Sequence, residues 1–133
     1  MTLTEFLLAR IAEDEAVARA AIERDGDHWA TESLGHDGSR INGTVDKGNP
    51  RAYSGSPELW DDEGALGMHD ETAAHIVRWD PARVLRECAA KRRIVKWAEG
   101  PYKDTQDAVR YQALRYLALP CADRSGYRDE WKP

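Results

Sequence analysis

Apolar residues recur at helical spacing from the start of the chain. Leu3, Leu7, Ile11, Ala18 and Ile22 form one stripe, which predicts a helix over residues 3–24. Thr2 with Glu5 three residues later has the form of a capping box, and Gly26 suits the left-handed turn that stops a helix. Asp14 lies on the same stripe. A carboxylate is costly to bury without a partner, so Asp14 is expected to meet a cation from a later helix. Lys91 and Arg92 lie within range of that role, and the expected structural ion pair is Asp14 with Arg92.

The helical period is lost over residues 27–67, where glycine, proline, asparagine and aspartate cluster. Short runs at His28–Ser33, Arg40–Val45, Arg51–Ser54 and Glu58–Asp61 predict strands of a small irregular meander. Trp29, Tyr53 and Trp60 are expected to pin this segment to the helices. Helical period returns over residues 71–79, with Asp70 as its expected cap. Asp80-Pro81 then reads as a stop and restart. Aspartate caps the new helix, proline suits its first position, and the two helices meet at an angle. The new helix is predicted over 81–98, with Val84, Leu85, Cys88 and Val95 inward and Gly100-Pro101 ending it. Asp104 is expected to open a last helix over 105–119, with Val109, Ala113, Tyr116 and Leu117 inward, ended by Pro120. Tyr127 and Trp131 in the tail, residues 120–133, suggest that it packs back on the body. The expected architecture is α+β: a mainly helical single domain of about four helices, with the β-rich segment inserted after the first.

Composition narrows the function classes. The 133 residues suffice for one domain, and the net charge of -5 disfavours general affinity for nucleic acid. No apolar run has a membrane-spanning length, and Met1–Arg10 leads into an acidic helix, so no secretory leader is expected. Two cysteines, Cys88 and Cys121, do not make a disulfide framework, which fits a cytoplasmic setting.

The residues His75-Ile76, Asp80–Glu87 and Ala90–Ile94 resemble an uncharacterised family of small actinobacterial and actinobacteriophage proteins. Ala12–Ala21, Leu114–Pro120 and Tyr127–Pro133 are similar to the first helix and the C-terminus of that family, in the same order. The resemblance implies an actinobacterial or phage origin and a cytoplasmic setting, and it carries no activity. Where some similar proteins have a second histidine one turn after His75, this chain has Trp79, so a two-histidine metal pair is not expected there.

Candidate chemistry is sparse. His28, His36, His69, His75 and the two cysteines form no compact ligand motif, so neither metal nor cofactor is expected. Asp61, Asp62, Glu63, Asp70 and Glu71 near His69 allow one enzymatic alternative, a small metal-dependent enzyme. No phosphate loop, nucleophile elbow or nucleotide fingerprint is present. The helix at 81–98 offers more. Projected at about 100° per residue, Arg86, Ala90, Arg93 and Trp97 share the side away from the core, with Arg83 and Lys96 on its flanks. His75 and Trp79, one turn apart, form a second small patch, whose plainer role is to lock the short helix in place. The expected binding residues are therefore His75, Trp79, Arg83, Arg86, Arg93, Lys96 and Trp97. The expected function is a non-catalytic protein-interaction or regulatory module with another protein as partner. A nucleic-acid or nucleotide binder using the same basic face is the alternative.

Overall fold

The computed structural model describes residues 1–33, 35, 38–46, 49–53, 69–100 and 105–133. Four helices dominate: α1 (Leu3–Asp25), α2 (Asp70–Arg78), α3 (Pro81–Ala98) and α4 (Thr105–Ala118). Three strands, β1 (Trp29–Ser33), β2 (Ser39–Asp46) and β3 (Asn49–Tyr53), follow α1 as an antiparallel meander in the order β1-β2-β3. The fold is mainly helical, with the meander where the loss of helical period placed it. The expected strand at Glu58–Asp61, the Trp60 anchor and the Asp104 start of α4 lie outside the described residues. No described helix is long and apolar enough to cross a membrane.

Packing divides the chain into two compact units, Met1–Ala16 with Arg86–Pro133, and Val17–Leu85. The core of the first is Leu3, Phe6, Leu7, Ile11, Cys88, Val95, Ala98, Leu114, Ala118 and Trp131. Phe6 is 1% exposed and lies 5.2 Å from the Trp131 ring and 5.9 Å from Tyr127, centre to centre. Tyr127 meets Trp131 edge-on at 5.8 Å. The tail is thus held by three aromatic groups, as its composition suggested. Gly126, at φ 88°, turns the chain into this cluster, and a side chain there would adopt a backbone conformation that L-residues avoid.

The capping box forms as read. The Thr2 amide donates to Glu5 Oε2 at 2.7 Å, and the Glu5 amide donates to Thr2 Oγ1 at 3.2 Å. At the other end of α1 the Gly26 amide closes on the Ile22 carbonyl with φ at 85°. The face of α4 differs from expectation. Val109 and Tyr116 are each 60% exposed, and the buried positions are Asp107, Leu114 and Ala118. That rotation is held from outside the helix, by the burial of Leu114 and Ala118 and by Arg115 Nε, which donates to the Trp131 carbonyl at 3.3 Å. Within α4, Arg110 pairs with Asp107 at 3.3 Å.

In the second unit, Ile41 of β2 and Ala73 of α2 are buried, and Ala18 of α1 is 4% exposed. Register pairs Thr31 with Ile41 and Ile41 with Tyr53, and a shift between Thr44 and Asp46 marks an irregularity. Among the described residues β3 pairs with β2 alone, which leaves its other side without a ladder for Pro50 to feed. Asp70 does not cap α2. His69 holds that position, while Asp70 is the first helical residue and accepts a hydrogen bond from the Ser39 hydroxyl of β2. A carboxylate in the first turn still suits the helix dipole, so the residue serves helix and sheet together.

Trp131→Ala should cost about 3–5 kcal/mol in urea unfolding, because it empties the centre of the aromatic cluster. Glu5 is held below its ordinary value of 4.5, chiefly by the Thr2 amide. A depressed carboxyl stabilises the fold above its unfolded value and loses that contribution as pH falls through the folded one. Unfolding midpoints measured from about pH 7 to pH 3 should fall less steeply for Glu5→Gln than for the wild type.

Candidate interaction surface

Helix α3 begins at a corner where every free amide finds an acceptor. Pro81 has no N–H to satisfy. The Ala82 amide donates to the Asp27 carbonyl at 2.9 Å, and the Arg83 amide to Asp80 Oδ1 at 2.8 Å. The Val84 amide bonds the Asp80 carbonyl at 3.0 Å. The other carboxylate oxygen of Asp80 meets His28 Nδ1 at 3.2 Å. Asp80 thus caps the helix as its position before proline predicts, and it also ties the segment after α1 to that corner.

Of the residues singled out in the second unit, Trp79 and Arg83 are brought together. The Arg83 guanidinium lies 4.4 Å from the centre of the Trp79 ring and donates to the Arg78 carbonyl at 3.1 Å. Trp79 remains 46% exposed, so this stack contributes about 0.5–1 kcal/mol. His75 is exposed one turn earlier on α2. The patch is a local lock with one open aromatic edge.

The larger surface belongs to the first unit. From Arg86 to Ala98, α3 buries Cys88, Val95 and Ala98 and exposes Arg86, Ala89, Ala90, Arg93, Ile94, Lys96 and Trp97. At about 100° per residue these seven span one continuous side of the helix. It holds three cations and no acid. Trp97 is 55% exposed and Ile94 37% exposed. Arg110 of α4 sits 5.8 Å from the Trp97 ring centre and covers part of it. No sequence spacing links Arg110 to Trp97, so this contact was not foreseen.

The expected ion pair changes partner. Arg92 takes Glu15, with Nε and Nη2 each donating at 2.9 Å to one carboxylate oxygen, while Asp14 is exposed. Helical geometry explains the shift. One residue is a 100° rotation, which carries Asp14 off the packed side and brings Glu15 to its margin. The fork-to-fork bond holds the guanidinium above its ordinary value. Arg92 therefore fixes register between α1 and α3 within the unit, and does not belong to the outer face. Nearby, burial pushes the Cys88 thiol up, and the Asp14 charge adds to this. Burial does the same for Cys121. In both, burial favours the neutral thiol over the thiolate.

Two other candidates are weaker. Among the described residues, no group of three or more His, Cys, Asp or Glu side chains could hold a metal ion. His69 and Glu71 are exposed, and Asp61, Asp62, Glu63 and His36 lie outside the described residues. An open groove of about 450 Å³ is lined by Leu3, Tyr111, Arg128, Glu130 and Trp131 among others. Its cation is already engaged, since Arg128 pairs with Glu130 at 3.1 Å and lies over the Trp131 ring at 5.5 Å.

Comparison with protein families matches residues 1–133 to the family of unknown function DUF6221. The chain belongs to the DUF6221 family. Membership covers the whole chain, including the α3 face and the Asp80-Pro81 corner, and assigns DUF6221 proteins no activity that could be carried over. Neither the curated proteins nor the solved structures contain a match.

Arg86→Ala and Arg93→Ala should each leave stability within about 0.5 kcal/mol of wild type in urea unfolding, because neither side chain is packed.

Proposed function

We propose that the protein is a non-catalytic interaction module that binds another protein through the outer face of α3. The observation that carries this reading is the side formed by Arg86, Arg93, Lys96 and Trp97. Among the described residues no carboxylate pairs with those three cations. Arginine and tryptophan are the side chains that most often dominate binding energy at protein interfaces. A cationic strip on a chain of net charge -5 favours a partner with a local acidic surface over a long polyanion, which the rest of the molecule repels.

The test compares the wild type with Arg86→Glu/Arg93→Glu and with Trp97→Ala. Each is immobilised and exposed to an extract of the encoding organism at near-physiological salt, with and without nuclease. One protein should be retained by the wild type, survive nuclease, and fall about tenfold in both variants. Circular dichroism should show all three folded alike. Equal capture by wild type and variants, no capture by the wild type, or capture abolished by nuclease would each overturn the proposal.

A further inference from the structure

We infer that the partner presents an acidic amphipathic helix, laid along α3 with two carboxylates two turns apart. This rests on the proposal that the α3 face binds protein, and it names what sits there. Arg86 and Arg93 are seven residues apart on the same exposed side. At 1.5 Å per residue their attachment points lie about 10 Å apart along the axis. Ala89 and Ala90 stand exposed between them, a low saddle with charged ends. Packed helices approach to about 8–10 Å only where side chains at the contact are small enough to admit the neighbouring ridge.

The spacing separates a helix from an extended peptide. Carboxylates at i and i+7 of a partner helix lie on one side at the same pitch, so both reach the two arginines at once. An extended chain covers about 10 Å in three residues, which turns the two side chains to opposite faces. Ile94 and Trp97 supply apolar contact beside the saddle, and Lys96 extends the charge along one rim. A phosphate backbone would use the cations and leave the saddle, Ile94 and most of Trp97 uncovered. The complement of this face in charge and shape is therefore an acidic helix with apolar residues between its acids.

The probe is a blocked, alanine-rich helical peptide of about 20 residues, long enough to hold helix in water, with two glutamates seven apart and leucine between them. A second peptide has the same composition with the glutamates on opposite faces. A third carries lysines in place of the glutamates, and an oligothymidylate serves as the polyanion. Binding is followed by NMR titration of the full-length protein at about 0.15 M salt. The matched peptide should bind about tenfold more tightly than the opposite-face peptide, with shifts at Arg86–Trp97. Arg86→Glu/Arg93→Glu should lose about tenfold for the matched peptide and regain binding to the lysine peptide. That exchange would not follow from a merely unfolded variant.

Equal binding of the two glutamate peptides, no exchange of preference, tighter binding of oligothymidylate, or no binding of the matched peptide up to about 1 mM would overturn the inference. If the double variant loses its cellular partner while the peptides are not discriminated, the helical partner is wrong and the interaction module stands. If the variant keeps that partner, both fall.

Discussion

Helix α3 must bury one side and keep the other in water, and much else follows from that division. Cys88, Val95 and Ala98 are sunk into the first unit, while Arg86, Arg93 and Lys96 stand on the opposite side. Guanidinium and ammonium groups lose far more on leaving water than a short aliphatic stripe gains, so the helix has one stable rotation. Arg92 sits at the boundary between the two sides and settles it by gripping Glu15 with both arms of its fork. The cationic outer face is what this division leaves in water.

The tail uses a different principle. Trp131 is 2% exposed although it lies two residues from the last residue of the chain. Phe6 and Tyr127 surround it, and Arg115 holds its carbonyl. Such a short segment has little else to bury, so aromatic area offsets the entropy of ordering it. Gly126 lets the chain turn sharply enough to deliver Tyr127 to that cluster.

Where the reading from sequence succeeded, the signal was local. The helix at Pro81–Ala98 has its predicted ends because proline and aspartate act on their own turn. Thr2 with Glu5, and Gly26 after α1, are equally local. The failures share a cause, since rotation of a helix about its axis is set by neighbours distant in sequence. Val109 and Tyr116 have the spacing of a buried pair, yet the burial of Leu114 and Ala118 and the bond from Arg115 to Trp131 turn α4 the other way. Asp14 gave way to Glu15 for the same reason. Of the outer face, Arg86, Arg93, Lys96 and Trp97 were legible from periodicity. The Arg110 cover on Trp97 and the His28 contact to Asp80 were not, because each joins separate elements.

The closed corner at Pro81 also limits how α3 can attract negative charge. An open helix start is a ready receptor for phosphate or sulfate, through bare N–H groups and the positive pole of the backbone. Here Asp27, Asp80 and proline itself have used up that end. An anion drawn to α3 must be met by long, flexible side chains in place of that positive pole. Its grip would loosen as ions are added to the solution, and it would follow a moving partner more readily than a rigid one.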